Sequence, residues 1–152
     1  MKVKKAITIL ALVAVVLFVY YSMDAAPLIS DEKYTYIAGM EWYKNYEEGQ
    51  KAAAEQGKPM LVYFWALWCK YCITLHEEVY PDQQVSKILK EDFVLIAIDL
   101  DENKMDDRRF GVQYPPYLIF LNSKGEIITR IPGFAFKEQL LLMLEQIKEG
   151  KI

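Results

Sequence analysis

The sequence predicts an α/β fold: a central mixed sheet flanked by helices, preceded by an N-terminal hydrophobic helix. Three observations carry this reading. Two unbroken apolar runs, PMLVYFWA (59–66) and FVLIAIDL (93–100), suit strands buried on both faces, as in a parallel sheet covered by helices. Helical patterns lie between and around them, which is the alternation of an α/β sheet. YLIFL (117–121) and IITRI (127–131), separated by NSKGE with Gly125, read as an antiparallel hairpin at the end of the sheet.

The elements follow in chain order. MKVKK (1–5) is basic and AITILALVAVVLFVYY (6–21) is uncharged and apolar, the pattern of an export signal or a membrane anchor. With Ser22 and Met23 the run approaches the roughly 20 residues of a membrane span. The small-residue cleavage pattern is poor at Met23-Asp24-Ala25. Residues 1–23 are therefore a signal peptide or, in the favoured reading, a retained anchor with Lys2, Lys4 and Lys5 on the cytoplasmic side. Residues 24–36 read as a linker and 37–152 as the folded domain. The expected location is periplasmic or extracytoplasmic, on the inner membrane through residues 6–23 if that segment is uncleaved.

Within the domain, Ile37, Met40, Trp42, Tyr43, Tyr46, Ala53 and Ala54 fall three to four apart and predict a helix from Ile37, stopped by Gly57. A strand over 59–66 follows, then a helix from near Cys69 to Pro81. A short helix over 82–91 is capped by Asp82. After the strand at 93–100, residues 102–111 predict a polar helix stopped by Gly111. The hairpin follows, and FKEQLLLMLEQIKEG (136–150) closes the chain as an amphipathic helix.

The net charge is −3, which argues against nucleic acid as a partner. The whole chain holds two cysteines, Cys69 and Cys72, and one histidine, His76. The cysteines are too close in sequence to staple a fold, although export to an oxidising compartment would permit disulfides. A structural zinc site wants four ligands, usually from Cys and His, and this chain could supply two Cys and one His plus a carboxylate. A metal site and an inert pair are thus the rivals of redox chemistry, and no metal or other cofactor is expected.

The redox reading has a physical basis. Cys69, at the first turn of a helix, faces unsatisfied backbone N–H groups and the positive end of the helix dipole. Both favour the thiolate, the form that attacks a disulfide. Cys72 lies one turn deeper on the same face. Cys69 is then the exposed nucleophile and Cys72 the resolving thiol. Lys70 adds a positive charge beside them, and Trp68 a flat apolar surface.

Trp68-Cys69-Lys70-Tyr71-Cys72 after the strand LVYFWA resembles the active site of the thioredoxin superfamily, and the element order resembles its fold. GVQYPPYLIF (111–120) resembles the family's second signature and puts its cis-proline at Pro116. KPMLVYFWALWCKYCITLHEEVYPDQQV (58–85) is similar to exported members, including the C-terminal domain of the transmembrane disulfide reductase and sulfur-oxidation-associated thioredoxins. The resemblance implies a thioredoxin fold and a redox disulfide Cys69–Cys72. It implies a thiol:disulfide oxidoreductase that reduces protein disulfides, fed by an upstream membrane electron donor. A disulfide oxidase or isomerase is the rival within the class, and a non-catalytic binding module the rival outside it. Tyr71, Pro115 and Tyr117 should shape the partner groove.

Two departures from the family pattern stand out. Pro115 precedes the cis-proline and has no N–H to offer a partner peptide. Tyr63 stands where typical thioredoxins bury an acid, and a tyrosine, titrating near pH ~10, is a poor base. His76, on the face of Cys69 and Cys72, could shuttle the proton instead, or could merely pack. Asp99, Asp101, Glu102, Asp106 and Asp107 read as a solvated, partner-facing edge, and Trp42 as core.

Overall fold

The computed structural model describes residues 12–17 and 33–152. Residues 12–17 are helical and exposed. The rest of the predicted N-terminal segment lies outside the described residues, and no described helix is long and apolar enough to cross a membrane.

Residues Asp31–Ile152 form a compact unit. Its strands are β1 (Tyr34–Ile37), β2 (Met40–Tyr43), β3 (Met60–Trp65), β4 (Val94–Asp99), β5 (Tyr117–Leu121) and β6 (Ile127–Pro132). They make one sheet in the order β1-β2-β4-β3-β5-β6. β4 runs parallel to β2 and β3, while β1, β5 and β6 pair antiparallel to their neighbours. The sheet is therefore mixed, as the sequence predicts.

β3 and β4 occupy the centre, and all but the last residue of each is buried. Alternation along β3 divides the interior. Leu61 and Tyr63 join the cysteines, β1 and β2 residues and the later helices in one cluster. Met60, Val62 and Phe64 face the other cluster, with Tyr46, Ala53 and Phe110. Two apolar layers on one sheet follow from two unbroken apolar strands.

The helices are α1 (Tyr46–Gln56), α2 (Lys70–Thr74, continued by one π-helical turn over Leu75–Val79), α3 (Gln83–Asp92), α4 (Lys104–Phe110) and α5 (Lys137–Lys148). Asn45 caps α1 by accepting from Glu48 N–H, and Asp82 caps α3 by accepting from Gln84 and Val85 N–H. Gly57 and Gly111, both at positive φ, end α1 and α4.

The helix predicted from Ile37 is a correction. Residues 34–43 form a hairpin, and helix begins only at Tyr46. Ala38 and Gly39 turn the chain with φ 52° and 68°, the paired left-handed geometry of a tight hairpin. Ile37 and Met40 are register partners across this turn, and Trp42 follows Met40 on the same face. A spacing of three across a turn imitates the spacing of a helix. β1 also starts inside the stretch read as linker.

Candidate active site

The chain leaves the buried end of β3 at Trp65 and reaches Cys69 through Ala66-Leu67-Trp68. Cys69 N–H donates to Ala66 O at 3.1 Å, which tightens this loop. Cys69 is the N-cap of α2, in extended conformation. Its carbonyl accepts from Cys72 and Ile73 N–H, and Cys72 N–H also lies 3.1 Å from Cys69 Sγ. An N–H aimed at the sulfur is the local arrangement that stabilises a thiolate. The two cysteines are joined in a disulfide with Cα atoms 5.2 Å apart, and both are buried; the exposed position predicted for Cys69 is corrected, because in the disulfide form it packs with Cys72 into the core cluster. Lys70 and Tyr71 are exposed on the first turn, and Trp68 is 67% exposed beside the disulfide.

The register of the sheet places the proline motif. Tyr117 pairs with Phe64 at the end of β3 from which the cysteine loop departs. Pro115-Pro116 therefore reach the same edge, and the bond between them is cis. Pro116 is buried, and its carbonyl accepts from Gly133 N–H at 2.9 Å. Pro115 is half-buried and offers no N–H. Tyr117 is half-buried, in edge contact with exposed Tyr114.

His76 sits in the π turn. Its Nε2 is 3.1 Å from Tyr63 Oη, and its ring touches Tyr63 and Trp65 of β3 and Tyr80 of its own helix. Burial holds the imidazole below its ordinary pKa and pushes the Tyr63 hydroxyl far above its own. Tyr63 is fully buried, and no carboxylate stands at its position.

The acidic run divides. Asp101 Oδ2 accepts from Trp68 Nε1 at 2.9 Å and so ties the active-site loop to the loop after β4. Parallel pairing of β3 and β4 makes both loops leave the sheet at the same edge, with Trp65 opposite Asp99. Asp106 is the only charged residue buried among the described residues. It accepts from Tyr46 N–H and Asn103 Nδ2 and pairs with Arg109. It belongs to the interior rather than to the solvated edge predicted for it. Among the described residues no group of three or more Cys, His, Asp or Glu converges on a possible metal position.

Sequence reasoning missed two contributors to the rim. Phe134 lies 6.0 Å from Tyr71, ring to ring, and Phe136 is in edge contact with Phe134. Both follow Gly133, whose N–H meets Pro116 O, so the Pro132-Gly133 break was the signal that this turn returns to the site.

A family model described as a thioredoxin-like domain matches residues 46–148. The thiol:disulfide interchange protein DsbD of Campylobacter jejuni is 28% identical over 109 residues, 69% of this chain but 19% of that protein. The chloroplastic thioredoxin-like protein HCF164 of Arabidopsis thaliana is 35% identical over 91 residues, 57% of this chain and 33% of that protein. The chain thus spans a third or less of the length of these two relatives. A thioredoxin from Thermus thermophilus superimposes with a TM-score of 0.62 at 29% identity, over 70% of this chain and 85% of that one.

Proposed function

The chain belongs to the thioredoxin-like domain family, and we propose that it reduces protein disulfides outside the cytoplasm by exchange through Cys69 and Cys72. The observation that carries the proposal is the Cys69–Cys72 disulfide at the head of α2, at the edge of the sheet that also bears the cis Pro115-Pro116 bond.

The reduced form begins the cycle. Cys69, as thiolate, attacks one sulfur of a partner disulfide. A Cys69–partner disulfide forms, and the partner's other sulfur leaves as a thiolate and takes up a proton. Cys72 then attacks Cys69 Sγ, closes the Cys69–Cys72 bond and releases the second partner sulfur. The partner gains two electrons and two protons, and this chain is left oxidised. An upstream dithiol donor must restore it. Backbone N–H groups at the start of α2 favour the Cys69 thiolate, and the exposed Lys70 adds positive charge.

Trp68, Tyr71, Pro115 and Tyr117 frame the groove for an extended partner segment, and buried Pro116 holds its floor. The basic and apolar N-terminal residues support a location outside the cytoplasm, with membrane attachment through residues 6–23. Trp68 and the likeness of residues 58–85 to exported reductant domains support the reducing direction.

Trapping tests this reading. Reduced Cys72→Ser protein, mixed with a disulfide-bonded protein substrate, should accumulate a mixed disulfide at Cys69, seen as an adduct by intact mass. Cys69→Ser should accumulate none. Equal adduct formation by the two variants would contradict the assigned roles.

A further inference from the structure

Resolution of the mixed disulfide needs Cys72 as a thiolate, so the thiol proton must go somewhere. In the disulfide form Cys72 is 1% exposed, so a proton acceptor inside the fold is needed where solvent barely reaches. The one buried carboxylate among the described residues, Asp106, is in use. It lies with Tyr46 and Arg109, and Tyr46 belongs to the other apolar cluster from the cysteines. On the cysteine side stands the chain's one histidine, His76, in contact with Tyr63 of the cysteine cluster.

Its position is built. α2 carries Cys72 in its α-helical part and His76 four residues on in the π turn, and Tyr63, whose hydroxyl meets His76, shares one buried cluster with Cys72. From Leu75 the helix widens into a π turn that contains His76, closed by Tyr80 N–H on Leu75 O at 2.9 Å. Such turns occur mostly as local insertions and often at functional sites. Beside buried Leu75 and Val79, the turn sets His76 against Tyr63 and Trp65 of β3.

The surroundings suit a proton acceptor. His76 forms no ion pair among the described residues. Its titratable neighbours are Tyr63 from β3 and Tyr80 from its own helix, and Glu77 and Glu78 beside it in the turn are exposed. With no carboxylate to stabilise the cation, half-burial keeps the imidazole neutral at neutral pH, ready to accept a proton. The Tyr63 hydroxyl stays protonated. To take a proton from Cys72 the neutral ring needs a free lone pair, so in the working tautomer Nε2–H donates to Tyr63 Oη and Nδ1 is left to accept, and the same Nε2–H bond persists in the imidazolium. Trp65 Nε1 and Tyr80 Oη, both buried, have no hydrogen-bond partner among the described residues, which leaves polar capacity around the imidazole.

We propose that His76, positioned by Tyr63 and the π turn, accepts the Cys72 thiol proton during resolution and returns it to the departing partner thiolate. Cys72 S–H breaks toward the imidazole, the sulfur electron pair forms the Cys69–Cys72 bond, and the old mixed-disulfide bond breaks onto the partner sulfur. The imidazolium then protonates that sulfur, so protons and electrons balance. This inference rests on the exchange reading above.

The test uses the reduced full-length chain and 5,5′-dithiobis(2-nitrobenzoate) in a stopped-flow instrument, over about pH 5 to 9. Each aromatic thiolate released absorbs light, so a first phase reports attack by Cys69 and a second reports resolution by Cys72. In His76→Gln the first phase should be unchanged. The second should slow roughly 100-fold at neutral pH, the low end of what a positioned acid–base group contributes. Its wild-type plateau above the imidazole titration should become a steady rise with pH. His76→Phe, which keeps an aromatic ring against Tyr63, Trp65 and Tyr80, should behave alike, and Tyr63→Phe should show a smaller loss in the same phase. A normal first phase with an unaltered second-phase profile in both His76 variants would overturn the relay alone. Absence of any first phase in the wild type would overturn the exchange reading and the relay with it.

Discussion

Asp106→Ala should cost about 3–4 kcal/mol of stability while leaving disulfide exchange intact. The carboxylate is 2% exposed. Oδ2 accepts from Asn103 Nδ2 at 2.8 Å and from Tyr46 N–H, the first residue of α1, at 3.2 Å. Hydrogen bonds to a charged group contribute about 1.5–3 kcal/mol, and a buried donor left unpaired costs about 1–3 kcal/mol. The Arg109 contribution is discounted, because its side chain is 39% exposed and solvent screens the pair. Such a loss is a large share of the roughly 5–15 kcal/mol that stabilises a domain, and should lower Tm by about 10–15 °C. Urea unfolding of the oxidised protein, followed by far-ultraviolet circular dichroism, measures it. Asp106→Asn keeps an acceptor for Tyr46 N–H and should cost less, about 1–2 kcal/mol. The folded Asp106→Ala variant should keep the wild-type pH profile of Cys72 resolution, since Asp106 lies with the apolar cluster opposite the cysteines. A loss below about 1 kcal/mol would refute the structural role, and a changed resolution profile would show that this carboxylate reaches the thiol after all.

Two further outcomes follow from the packing and the charges. In Gly49→Ala the new Cβ would lie 2.3 Å from Ile96 Cγ1, and fully buried Ile96 has little room to move. Overpacking of about 1–3 kcal/mol should exceed the helix-propensity gain of about 1 kcal/mol, so Tm falls; a rise would mean that α1 has slack against β4. Asp82 is held below its ordinary carboxylate pKa mainly by Val85 N–H, with Gln84 N–H and Lys137 helping. A depressed pKa stabilises the fold above the unfolded-state value and loses that effect as pH falls through the folded one. Asp82→Asn should therefore lower Tm at pH 7 and close the gap to wild type near pH ~3, whereas a constant gap would exclude the charge as the cause.

Legibility in the sequence tracked how local the determining physics was. Buried strands β3, β4 and β5 announce themselves as apolar runs, and Asp82, Gly57 and Gly111 mark helix ends by chemistry confined to a few residues. The helical pattern placed the cysteines at a helix start, and the family resemblance implied a cis bond before Pro116; both stand there. The hairpin over 34–43 was hidden because Ala38-Gly39 lacks the Asn or Asp that usually marks such a turn. The π turn at Leu75–Val79 has no composition signal, and it decides which side chain His76 meets. Asp106 was misread because its burial depends on Tyr46 and Arg109, and Tyr46 is remote in sequence. Asp101 was grouped with the same acidic run, although the parallel register of β3 and β4 sets it beside Trp68.

The reducing role requires the Cys69–Cys72 pair to act as an electron donor. The most direct measurement equilibrates the full chain in glutathione and dithiothreitol buffers and counts free thiols by alkylation and mass. A reversible two-electron titration with a midpoint at about −270 mV or below is the predicted result. A midpoint near about −120 mV would make the protein a disulfide donor and contradict the reducing role, and the lack of a reversible titration would contradict the exchange chemistry itself.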